Sequence, residues 1–263
     1  MSAFNWRTAS PEEVDHEYSP SKFAVRPLAE YFADYRRRSD GFNPSALITA
    51  GQPLLIFIHG GYWQDLSAAD SRFNAHDALR LSISLHAVEY TLAPHASVEN
   101  IVRECLVDVL RIIEIAQPTR VVLAGSSAGA HLAAMCARDA VVAPLLHGVA
   151  LLSGIFDLRP LVVTPTNDAL HLDENSATRV SPQLLGPSSL LRNALLAVGE
   201  HESSEFIRQN SEYAKHLLTV GTNAQCMVIQ QRDHFDLPYD LLSSGTTVGD
   251  WVLNILLENS HVA

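Results

Sequence analysis

Two short runs of this 263-residue chain carry residue types and spacing suited to acyl transfer. One is Gly125-Ser126-Ser127-Ala128-Gly129, a G-x-S-x-G run. So tight a turn forces its central residue into strained backbone geometry, while flanking glycines let neighbouring backbone pack close. Ser127 is central and is the candidate nucleophile, with its hydroxyl expected near the positive end of the helix that follows. Ser126 is off-centre and is not assigned the role. Gly and Ser are common in loops, so the run alone could be a small-residue turn. Its placement, after the apolar strand-like Arg120–Ala124 and before the helix-compatible His131–Met135, favours the nucleophile. The second run is His59-Gly60-Gly61-Tyr62-Trp63, directly after apolar Leu54–Ile58. A Gly-Gly pair there presents backbone N–H groups without side-chain obstruction, as a developing oxyanion requires. Losing one side-chain donor of this kind costs ~10²–10³ in rate. Gly60, Gly61 and Ala128 are the expected oxyanion hole. Tyr62 and Trp63 could wall a pocket against an aromatic leaving group, or pack into the core.

A serine hydroxyl needs a base, and a strand–G-x-S-x-G–helix turn implies the chain order Ser, acid, His. Of the histidines after Ser127, His147 begins a strand, and His201 and His216 lie beside or within a helical stretch. His171 also follows the elbow, and His261 sits in the C-terminal tail. His234 lies in the polar loop Gln231–Asp236, past the last strand and before the terminal helix, where a catalytic imidazole belongs. The acid should follow the preceding strand, in Glu200–Phe206. Glu200 and Glu202 both have the reach to orient an imidazole. Asp233 and Asp236 are chemically suitable but adjoin the histidine itself, and position favours Glu202.

These residues need a scaffold. Apolar, β-branched-rich runs at Leu54–His59, Leu85–Tyr90, Arg120–Gly125, Gly148–Ser153, Ala194–Gly199 and Gln225–Gln230 are nearly continuous, as for strands covered on both faces. Helical patterns lie at Ser97–Ile115, Ala128–Arg138, Ser203–Leu218 and Val248–Leu257, and Ile101, Cys105, Val109 and Ile112 make a core-facing stripe. The alternation implies an α/β architecture, a mainly parallel sheet flanked by helices, with ligands at the strands' carboxyl ends. One α/β domain over residues 1–263 is expected, with residues 1–50 as an N-terminal extension packing on it. The formal charge of −11, with 47% hydrophobic and 18% charged residues, excludes a disordered chain and argues against a nucleic-acid partner. Arg36-Arg37-Arg38, flanked by Asp34 and Asp40, reads as a solvated helix end. Cys105, Cys136 and Cys226, far apart, read as reduced and mostly buried thiols. With no apolar leader or spanning stretch, a soluble, cytoplasmic protein is expected.

Taken together, the chain resembles the α/β-hydrolase arylformamidases, also called kynurenine formamidases. The matching segments are Tyr18-Ser19-Pro20-Ser21, the HGGYW run at 59–63, the elbow, Gly154-Ile155-Phe156-Asp157-Leu158-Arg159-Pro160-Leu161, Asn167, Ser181-Pro182, Val198–Gly199 through Glu205–Gln209, and His234-Phe235. They span most of the chain. The resemblance implies an α/β-hydrolase fold and a Ser127–Glu202–His234 hydrolase cleaving the formamide of N-formylkynurenine or a similar aryl formamide. It implies no metal or other cofactor, and a role in tryptophan catabolism. It supports Glu202, because the family's acid sits just before the segment matched by Ser203–Phe206; that acid is commonly Asp. The stretch from Asp40 to Pro53 is shorter than in the family and shows no strand pattern, so a reduced N-terminal sheet edge is expected. The runner-up reading is a carboxylesterase for small acyl esters, and a third is a non-catalytic binding module. The expected partner is a small aryl formamide or ester, with no membrane, and a homodimer is left open.

Overall fold

A computed structural model describes residues 4–257; His261 lies outside the described residues. Six strands form one sheet: β1 (Leu54–Ile58), β2 (Ser84–Val88), β3 (Val121–Ser126), β4 (Gly148–Leu152), β5 (Asn193–His201) and β6 (Asn223–Asp233). Their order is β2-β1-β3-β4-β5-β6, and every pairing is parallel. The sheet is therefore wholly rather than mainly parallel. β1, β3 and β4 are buried along their full length, which their continuous apolar sequences dictate. Residues 40–53 contribute only a short 3-10 turn, so the sheet edge on that side is β2.

The opposite edge departs from the expectation of two covered faces. On β6, Cys226, Val228 and Gln230 are exposed while Gln225, Met227 and Ile229 are half-buried, so the strand alternates as a one-sided edge does. Cys226 is accordingly an exposed thiol, whereas Cys105 and Cys136 are free and buried.

The helices are α1 (Pro11–Glu17), α2 (Leu28–Ser39), α3 (Ala75–Leu81), α4 (Val98–Ala116), α5 (Ala128–Arg138), the short α6 (Asn167–Leu170), α7 (Glu174–Arg179) and α8 (Pro182–Leu185), α9 (Ser204–Thr219) and α10 (Thr247–Leu257). One apolar cluster packs α4, α5 and α9 on one sheet face, with the expected stripe Ile101, Cys105, Val109 and Ile112 turned inward. A second cluster, with α3 and α10, covers the other face. Among the described residues no helix is long and apolar enough to cross a membrane.

The N-terminal residues run as a strap over the carboxyl ends of the strands. The Val25 N–H donates to Asp233 Oδ2 at 2.9 Å, the Tyr31 hydroxyl donates to the same oxygen, and the Tyr35 hydroxyl donates to the Phe235 carbonyl at 2.5 Å. At the end of α2, Arg36 pairs with Asp70, Arg37 with Asp34, and the Arg38 guanidinium lies 4.0 Å above the Tyr239 ring.

Candidate active site

Ser127 stands between β3 and α5 with φ +57° and ψ −122°, a conformation that costs a non-glycine residue roughly 1–3 kcal/mol. The strain is held by close packing. A Cβ at Gly129 would lie 2.0 Å from the Ile58 carbonyl oxygen, and one at Gly125 would lie 2.2 Å from that of Gly129. Only glycines let α5 start this close to β1. The Ser127 N–H donates to Leu152 O at 2.8 Å, and its carbonyl accepts from Ala130 and His131, so the turn is fixed on both sides.

Gly61 faces the serine across the cleft with φ +94°, and a Cβ there would meet Asp65 O at 2.2 Å. Its carbonyl accepts from the N–H groups of Gln64 and Asp65. The N–H groups of Gly61 and Ala128 donate to no protein acceptor among the described residues. Behind the loop, His59 stacks on Tyr90 at 4.2 Å, and the Tyr90 hydroxyl donates to the carbonyls of His59 and Gly60. Burial pushes the His59 imidazole down to about 4, against the opposing pull of the Gly60 carbonyl.

Beyond β5, Glu202 is buried and its carboxylate takes three donors. The His234 Nδ1–H donates to Oε2 at 2.7 Å; the Ser153 hydroxyl and the Gly199 N–H both donate to Oε1 at 2.6 Å. With Nδ1 engaged, Nε2 of His234 is left as the acceptor. Phe206 packs edge-on to the imidazole at 4.9 Å and Phe235 at 5.1 Å, so the ring is fixed by packing as well. Ser127 and His234 line the same cavity, of about 260 Å3, although no hydrogen bond joins them. Catalytic hydrogen bonds of this kind are commonly long until substrate is bound.

The other carboxylates weighed from the sequence are engaged elsewhere. Glu200 accepts from the Gln231 N–H at 3.0 Å and is exposed. Asp233 accepts from Val25, Tyr31, Phe235 and Asp236, and Asp236 accepts from the Asp233 N–H. Burial raises the Asp233 carboxyl, but the Tyr31 hydroxyl and the three N–H groups outweigh it and hold it below the usual carboxylate value.

Tyr62 lines the cavity, and its hydroxyl donates to the Tyr18 carbonyl. Trp63 does not: it is wholly buried behind the wall, edge-on to His131 at 5.1 Å, because its positive φ turns the ring into the core. Its expected place as a pocket residue is therefore corrected to core packing between the Gly60–Gly61 loop and α5.

Several site residues escape sequence reasoning. Ser153, with φ +51° at the end of β4, has as its only outward signal a polar residue closing an apolar strand. Tyr18 stands in a segment that carries the resemblance, but its role does not show in the sequence: its hydroxyl donates to Glu205 at 2.8 Å and accepts from Gln209 at 2.6 Å, while Gln209 Oε1 accepts the N–H groups of Phe156 and Asp157. This network ties the strap, α9 and the loop after β4 into one rim. Among the described residues no group of three or more His, Cys, Asp or Glu is placed to hold a metal.

Comparison with known proteins agrees with this architecture. Residues 55–185 match a family described by the alpha/beta hydrolase fold. A kynurenine formamidase of Danio rerio is 29% identical over 289 residues, covering 96% of this chain and 98% of its own. Two solved structures share the fold. One, a proposed thioesterase from Silicibacter sp., has a TM-score of 0.80 at 22% identity, covering 94% of this chain and 99% of its own. The other, an esterase of Pyrobaculum calidifontis, has a TM-score of 0.66 at 16% identity, covering 94% and 98%. The chain is thus a hydrolase of the α/β-hydrolase fold, similar over nearly its whole length to kynurenine formamidases.

Proposed function

We propose that this chain is a serine hydrolase that removes the formyl group from an aryl formamide, N-formylkynurenine or a close analogue, through a formyl-enzyme intermediate. Ser127 Oγ attacks the formyl carbon while His234 Nε2 takes its proton. Glu202 holds the imidazole in the tautomer that leaves Nε2 free and stabilises the imidazolium that forms. The N–H groups of Gly61 and Ala128 receive the oxyanion, with Gly60 shaping the loop. His234 then protonates the departing aryl amine, the C–N bond breaks, and water activated by the same imidazole releases formate and restores Ser127.

The observation that carries this reading is the buried His234–Glu202 pair at 2.7 Å on the cavity that also holds Ser127. The resemblance over nearly the whole chain to kynurenine formamidases supports the choice of formamide. The test is turnover of N-formylkynurenine beside a small aryl ester such as phenyl acetate, compared as kcat/KM. A formamide inert to the wild type while the ester turns over would reassign the activity to a carboxylesterase.

A further inference from the structure

The cavity that holds Ser127 has two unlike regions. Aromatic rings of Phe32, Tyr35, Phe57, Phe73 and Phe235 form one. They lock one another: Phe32 is edge-on to Phe235 at 6.4 Å, Tyr35 stacks on Phe73 at 5.0 Å, and Phe57 is edge-on to Phe73 at 5.3 Å. The other region offers hydroxyls from Ser19, Ser21 and Thr166, and the exposed Asp65.

No Lys or Arg lines this cavity among the described residues, and the nine residues outside the description (1–3 and 258–263) contain none in their sequence. Several arginines around the strap and rim are already paired, Arg38 lies over the Tyr239 ring, and Arg72 lines a separate hollow beside Arg36, Arg37 and Asp70. Arg26 bonds Asp34 at 3.1 Å and lies over the Tyr31 ring; Arg159 forks onto Asp157; Arg208 bonds both Glu205 and Glu212. Asp65 is the single carboxylate of the lining, and the chain as a whole carries −11. A substrate carboxylate entering this site would lose water without gaining a cation, in an unfavourable field. An arene, by contrast, gains burial and ring contacts.

We infer that the site recognises its leaving group through the arene and takes neutral or cationic aryl formamides in preference to those bearing a carboxylate. This rests on the formamidase reading above and narrows its substrate class. An ammonium on the leaving group is accommodated by Asp65, whereas a carboxylate is repelled by Asp65 and the negative field and weakens binding.

The experiment compares matched substrates that differ only in the carboxylate: N-formylkynurenine against N-formylkynuramine, and in parallel an aryl acetate with and without a distal carboxylate. The expected result is a higher kcat/KM without the carboxylate, by roughly three-fold or more, carried by KM and shrinking as salt rises. Asp65→Lys is expected to reverse the order. A ratio at or below one in the wild type, in whichever series turns over, overturns the inference. If both formamides are inert and the esters are not, the formamidase reading fails, and the ester pair still reads the charge preference.

Discussion

Glu202 takes donors from His234, Ser153 and Gly199, and Ser127, Glu202 and Ser153 differ in what their removal costs. Ser127→Ala is expected to lose at least about 10⁴-fold in kcat, because no other group offers the nucleophile. Glu202→Ala should lose about 10²–10⁴-fold, since the imidazole keeps its packing against Phe206 and Phe235 but not its tautomer. Ser153→Ala removes one charge-assisted bond at 2.6 Å, and a loss of about ten-fold in kcat with KM unchanged is expected. Steady-state kinetics on the three variants, with circular dichroism to verify folding, checks the gradation. Unchanged turnover in Glu202→Ala would remove Glu202 from the mechanism. At this scale the placement of Ser127 and His234 on one cavity was legible because a turn motif and a loop position mark them. Ser153 was not, because its role depends on the end of β4 meeting the loop after β5, a contact between strands neighbouring only in space.

Among the elements, the strap leaves the weakest trace in the sequence. α2 buries only Tyr31, Tyr35 and Ser39, and its apolar Leu28 and Phe32 are less than fully buried, so periodicity marks little more than its basic end. Its docking runs through Asp233, a residue next to the candidate base. Because the folded state holds Asp233 below its ordinary value, the stability it adds is present above the usual carboxylate range and lost as pH falls through the folded value. Acid should therefore release the strap, and Asp233→Asn should flatten that acid limb; proteolysis within residues 18–35 measured against pH reads it. Tyr31→Phe should raise KM several-fold while leaving kcat nearly intact, since the strap lines the cavity but holds no reacting group. β1 to β5 and α4, α5, α9 and α10, by contrast, were legible to within a residue or two, because β1, β3, β4, α4 and α5 repeat their apolar pattern without interruption. β6 misled because an edge strand keeps strand composition while losing one cover.

Across the whole molecule, the parallel sheet places the three strand-end loops of β3, β5 and β6 on one rim, and the two apolar clusters fix that sheet from both faces. Two buried histidines on the helix side also tie stability to pH. Burial pushes His59 and His131 down to about 4 from an ordinary 6.5. Unfolding frees them to take protons first, so their contribution is complete above pH 6.5 and falls away between pH 6.5 and 4, by up to about 1.4 kcal/mol per pH unit for each histidine. Urea midpoints across that range should drop, and His131→Gln should drop less steeply. The central claim, that Ser127 is the nucleophile activated by His234 and Glu202, is tested most directly by a fluorophosphonate probe followed by peptide mass spectrometry. The adduct is expected on Ser127 alone, with labelling abolished in Ser127→Ala and strongly slowed in His234→Ala; folded protein that takes no label, or takes it at another residue, contradicts the account.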